Sequence, residues 1–131
     1  MESKKLHKLK DAVETLRDAL RLSSKNVVEE HLSFLMIVKS FEVAIEYAWK
    51  EMKLRVENEG LFAPSPKEAV RKAAKLGIIS NGERWIVCIN ARNNSVHDYF
   101  AISKEDYVNL AKEFLSLVEQ SSLCFEIEGE N

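Results

Sequence analysis

The stretch Phe34-Leu35-Met36-Ile37-Val38-Lys39-Ser40-Phe41-Glu42-Val43-Ala44-Ile45-Glu46-Tyr47-Ala48-Trp49-Lys50-Glu51-Met52 decides how this chain folds. Phe34, Val38, Phe41, Ile45, Trp49 and Met52 recur at steps of three and four, the spacing of one helical face. Leu35, Ile37, Ala44 and Ala48 widen that face until it can touch two neighbours at once, as the central helix of a bundle must. The pattern predicts a long helix over roughly 27–59. Gly60 then offers a left-handed stop.

The flanking segments supply its partners. Upstream, Leu6, Leu9, Val13, Leu16 and Leu20 form one stripe, which predicts a helix over about 4–22, with Ser23-Ser24-Lys25-Asn26 as the connection. Downstream, Ser65-Pro66-Lys67-Glu68 is a capping box with proline at the first helical position. It opens a short helix that ends near Leu76, before Gly77. Ser80-Asn81-Gly82-Glu83 reads as a second box, opening a fourth helix on which Trp85, Cys88 or Ile89, and Arg92 share a face. A strand over 85–89 lacks a hairpin partner. A fifth helix starts at Ser103, with Asp106 at the box position and Tyr107, Leu110, Phe114, Leu117 and Val118 as its stripe. From about 121 the chain reads as a tail that Phe125 and Ile127 would dock. Trp49 and Trp85 are read as core residues. The fold class is therefore all-α, an up-and-down four-helix bundle with an additional short helix, in one domain spanning 1–131.

Composition agrees. The chain is 46 % apolar and 31 % charged, with only four glycines and two prolines, too few for the frequent turns of an all-β fold. A net charge of −2 provides no global attraction to nucleic acid, so RNA contact requires a local basic patch. From its charged amphipathic N-terminus neither a signal peptide nor a membrane span is expected. Cys88 and Cys124 form no metal pattern and no disulfide framework, and Cys88 reads as a small core residue. The expectation is a cytoplasmic protein without a cofactor.

One segment departs from generic helix: Arg92-Asn93-Asn94-Ser95-Val96-His97-Asp98-Tyr99. It places a permanent cation, amides, a hydroxyl, an imidazole and a phenol within one short stretch. RNA carries its own nucleophile, the 2′-hydroxyl. A histidine titrating near neutrality can take that proton or protonate the 5′-oxygen, and an arginine fork matches the developing charge on phosphorus-bound oxygens. Arg92 and His97 are the candidate catalytic pair, and no metal is required. Asn93, four residues before His97, can fix the imidazole or hold a phosphate oxygen. Arg92 and His97 lie five apart, about 140° around an ideal helix, so they converge only if the helix ends between them or a second copy completes the site. Tyr99 is either a capping aromatic or an exposed phenol open to modification, where added charge and bulk would block the site. Lys67, Arg71 and Lys75 are spaced four apart, either a solvated face or a rail for RNA or an acidic partner.

Four pieces in order carry a family resemblance: Phe41-Glu42 followed by Glu46-Tyr47-Ala48-Trp49-Lys50; the segment from Ser65 to Ile79; Trp85; and Arg92-Asn93 to His97 with Tyr99. Over about residues 5–120 the chain resembles the HEPN superfamily, specifically its nucleotidyltransferase substrate-binding branch, the HepT-like toxins of HEPN/minimal-nucleotidyltransferase pairs. The resemblance implies a homodimeric helical bundle with composite active sites. It also implies a metal-independent RNase acting through Arg92 and His97, and a cognate minimal nucleotidyltransferase that neutralises it. In some members that enzyme transfers AMP to the tyrosine matching Tyr99. Ser40 stands where relatives often carry arginine, so a second reading stands beside the first: a non-catalytic substrate-binding or regulatory subunit of a nucleotidyltransferase.

Overall fold

The structure is a computed structural model that describes residues 4–98 and 102–124, with the side chains of 4–6, 96 and 97 excepted. Five helices follow one another: α1 (Lys4–Ser24), α2 (Glu30–Asn58), α3 (Pro66–Lys75), α4 (Gly82–His97) and α5 (Lys104–Gln120). Among the described residues there is no strand, so the all-α bundle with one short helix stands as read.

The wide apolar face of α2 places this helix at the centre, in contact with each of the other four. Phe34, Ile37, Val38, Phe41, Ala44, Ile45, Ala48, Met52 and Val56 of α2 are all buried. Leu9, Val13 and Leu16 of α1 pack on one side of it, and Trp85, Tyr107 and Phe114 of α4 and α5 on another. The rings meet edge to face. Tyr107 lies 6.0 Å from Phe34 and 5.4 Å from Phe41, and Phe114 lies 5.4 Å from Phe41 and 5.5 Å from Trp85. T-shaped pairs at these separations add roughly 0.5–1.5 kcal/mol each beyond burial.

Helix ends follow local chemistry, with two corrections. Ser65 and Ser103 accept from the amides of Glu68 and Asp106, as their boxes predict. Gly60 and Gly77 take φ of 85° and 75°. The amides of Gly60 and Leu61 reach Glu57 and Val56 carbonyls, and those of Gly77 and Ile78 reach Ala74 and Ala73 carbonyls, a paired closure that needs the left-handed residue. The first correction is at α2, which starts at Glu30 rather than 27. The Glu29 carboxylate caps it, accepting from the amides of His31 and Leu32. Those backbone bonds hold the Glu29 carboxyl below its usual range. The second correction is at α4. Ser80 does not cap it; Asn81, in the left-handed region at φ 55°, occupies the cap without a side-chain bond. Trp49 packs against the core as expected but is only half-buried, and its indole N–H donates to Glu46 Oε2 (3.0 Å).

After α5 the chain stays docked as far as Leu123, which is fully buried. An ion pair inside the bundle holds it there. Arg55 Nε donates to Glu51 Oε2 (2.8 Å), while its Nη1 and Nη2 donate to the carbonyls of Ser122 (2.6 Å) and Leu123 (3.0 Å). Phe125 and Ile127 lie outside the described residues. Burial pushes the Cys88 thiol up to about 12, with Glu113 adding and Arg84 opposing, so it is a neutral core residue, as expected from its apolar setting. No helix among the described residues is long and apolar enough to cross a membrane.

Candidate functional site

Arg92 lies on the last turns of α4, where that helix crosses α2. The side chain is about one-third exposed and lines a cleft of about 370 Å³ with Lys39, Glu42, Val43, Glu46, Tyr47 and Lys50, all from α2. The guanidinium is held at two edges. Nη2 lies 3.3 Å from Glu46 Oε2, and Nη1 donates to Asn93 Oδ1 at 3.2 Å. Arg92 Nε is buried and has no hydrogen-bond partner among the described residues. An ion pair this exposed contributes at most about 1 kcal/mol, so its consequence is orientation rather than stability.

Burial raises the Glu46 carboxyl, but the Trp49 indole, the Arg92 guanidinium and Lys50 together outweigh it and hold the group below the usual carboxylate range. The sign follows. A depressed carboxyl keeps its charge as pH falls through the ordinary range and releases Arg92 only at still lower pH. The cleft thus sets Lys39, Lys50 and Arg92 beside Glu42 and Glu46.

Beneath the cleft, a buried polar chain joins three helices. Tyr107 Oη donates to Ser95 Oγ (3.2 Å), and Ser95 Oγ donates to Glu42 Oε2 (2.7 Å). The same Ser95 Oγ lies 3.0 Å from the Arg92 carbonyl, so the network fixes the turn of α4 that carries Arg92. Glu42 and Ser95 are both buried. Substituting Ser95→Ala leaves a buried carboxylate without its donor and is expected to cost about 1.5–3 kcal/mol, read as a lower urea midpoint at unchanged m.

The segment singled out in the sequence is only partly brought together. Arg92 and Asn93 touch each other, through Arg92 Nη1 donating to Asn93 Oδ1. His97 is the last residue of α4, so the helix does not end between it and Arg92; its side chain lies outside the described residues, as does Tyr99. The basic row of α3 does not line the Arg92 cleft. Arg71 pairs with Glu68 at 3.1 Å, Lys75 is exposed and Lys67 is partly exposed. The cations that do line the cleft, Lys39 and Lys50, were missed by the sequence reading, although their seven- and four-residue spacing to Glu46 puts all three on one side of α2. Glu42 was also missed as the buried acceptor of Ser95. Among the described residues no three His, Cys, Asp or Glu side chains converge as metal ligands.

A second groove, apolar, runs between α1 and α2 and meets the cleft at Lys39; Ala19, Leu22, Val28, Leu32, Leu35 and Met36 line it.

Fold and cleft together define a helical-bundle protein with an arginine-centred cleft between its central helix and α4. The chain belongs to the nucleotidyltransferase substrate binding protein-like family, whose sequence profile matches residues 4–123. No curated protein matches it.

Proposed function

We propose that this protein is a metal-independent endoribonuclease of the HEPN type, the HepT-like toxin of a pair whose antitoxin is a minimal nucleotidyltransferase. Family membership supports the partner half of this reading, because the family's description ties it to a nucleotidyltransferase. The observation that carries the catalytic half is Arg92, fixed by Glu46 and Asn93 at the edge of an open cleft that also holds Lys39 and Lys50, on the helix that ends at His97.

The reaction is attack of the RNA 2′-hydroxyl on the adjacent phosphorus. His97 removes the hydroxyl proton or protonates the departing 5′-oxygen, and Arg92 stabilises the charge that builds on the non-bridging oxygens. A 2′,3′-cyclic phosphate and a 5′-hydroxyl result. Because α4 runs unbroken through His97, the two residues leave the helix axis about 140° apart. Two copies paired about a two-fold axis would bring the arginine of one to the histidine of the other. The apolar groove that meets the cleft is the kind of surface such pairing, or the nucleotidyltransferase, would cover. Tyr99, two residues beyond His97, is the proposed AMP acceptor; a nucleotide there would add negative charge and bulk beside the site.

Incubating RNA with wild type and with His97→Ala in excess chelator tests the reading. Wild type is expected to produce cyclic-phosphate ends, and the variant to be slower by roughly 10²–10⁴-fold. Equal rates would overturn it. One observation favours the second reading, a non-catalytic subunit that binds or regulates the nucleotidyltransferase: Ser40, in place of an arginine, donates to the Met36 carbonyl (2.6 Å) and adds no cation to the cleft. Intact RNA with wild type would select it.

A further inference from the structure

Phe62 is 69 % exposed, the most exposed of the large apolar side chains among the described residues. Its backbone is nevertheless held at three successive residues. The amide of Leu61 donates to the Val56 carbonyl (3.3 Å), Lys72 Nζ donates to the Phe62 carbonyl, and Lys53 Nζ donates to the Ala63 carbonyl (2.9 Å). Ala63 itself is fully buried. A large ring is thus presented to solvent from a fixed backbone, which lowers the ordering cost of any partner that packs on it.

Its place in the fold suggests which partner. Lys39, Val43, Glu46, Lys50 and Lys53 fall at steps of three and four along α2, so they form one line on its surface. The first four line the Arg92 cleft; the fifth anchors the loop that carries Phe62. From Glu46 to Lys53 is two turns, about 10 Å along the axis. The line therefore leads from the Arg92 cleft to the loop that carries Phe62, with Lys39, Lys50 and Arg92 lining the cleft and Lys67, Arg71 and Lys75 following the loop in sequence on α3. Carboxylates pair several of these cations, Glu46 with Lys50 and Arg92, Glu57 with Lys53 and Glu68 with Arg71, and Lys39, Lys67 and Lys75 leave the surface with cations in excess. A polyanion with flat apolar faces matches it: phosphates lie on the cations and a base stacks on the ring.

We infer that Phe62 is a base-stacking platform for single-stranded RNA whose backbone runs from the Arg92 cleft along α2. The inference rests on the ribonuclease reading and assigns its substrate class: unpaired RNA, because a duplex hides the base faces. An acidic protein would match the cations but would not require an isolated ring among them.

Binding of fluorescent single-stranded RNA to the His97→Ala protein, followed by anisotropy across a salt series, tests this without cleavage. Phe62→Ala is expected to weaken binding roughly 5- to 100-fold while leaving the salt slope unchanged; Phe62→Trp restores affinity. Lys50→Gln is expected to reduce the slope by about 0.7 instead. Equal affinity of Phe62→Ala and its parent would overturn the inference. So would an equal loss for duplex RNA, or a changed elution volume on size exclusion with RNA affinity intact, which would make Phe62 a protein contact. Cleavage by wild type decides the ribonuclease reading separately: active enzyme with an inert Phe62 removes the platform alone.

Discussion

Arg55→Ala is expected to destabilise the fold by about 3–5 kcal/mol, the largest effect of any single substitution considered for this protein. The guanidinium is 6 % exposed and Glu51 3 %, so the variant strands a carboxylate inside the bundle. Glu51 Oε1 already has no partner among the described residues, which leaves the bond to Arg55 as the carboxylate's described compensation. The Ser122 and Leu123 carbonyls lose their donors at the same time. Chemical denaturation of Arg55→Ala beside Glu51→Leu/Arg55→Met separates the causes. The double variant removes both charges and should recover much of the loss, because a buried pair is costly chiefly when half of it is left behind. If the double variant is as unstable as the single, the docking of residues 122–123, rather than the stranded charge, sets the cost.

Mixing two inactive variants is expected to restore RNA cleavage. Under the proposed composite site, Arg92→Ala and His97→Ala each lose activity: the arginine roughly 10²–10³-fold, for a group aimed at developing charge, and the histidine roughly 10²–10⁴-fold, for proton transfer. Refolded together, mixed dimers would contain one site with both intact residues and one with neither. Activity approaching one-quarter of wild type is the statistical outcome, because about half the dimers are mixed and each has one working site. Measuring initial rates before and after co-refolding checks it. Mixtures no faster than their components would place Arg92 and His97 in one subunit, in conflict with an α4 that runs unbroken through both. Some amplitude would then have to come from bending of the last turn, and the pairing argument would fall.

Much of the candidate site could be read in the sequence, but not how it is assembled. Arg92 and Asn93 stand out by residue type at the start of a polar run that closes a helix whose middle is largely apolar. The contacts that position them come from α2: Glu46 on the guanidinium, and Glu42 through Ser95 on the backbone of the turn. Ser95 and Glu42 are 53 residues apart, and neither is unusual in its local context. Glu51 and Arg55 look in sequence like any surface pair four apart on a helix. Only the rotation of α2 against the docked segment after α5 takes them inside. The α3 row was regular enough in spacing to read as a solvated face or a rail, and the structure leaves Arg71 and Lys75 exposed and away from the Arg92 cleft.

The amino-acid sequence alone determined that the protein is a helical bundle with α2 at its centre, where α3 and α5 begin, and where glycine stops α2 and α3. Each of these rests on interactions within about one helical turn, or on a periodicity that a single helix carries by itself. The tertiary structure decided which charges are buried and which cations share the Arg92 cleft. It also decided that Phe62 stands clear of the core on an anchored loop. Those depend on the depth and rotation at which helices pack, set by the whole core at once and by no segment separately.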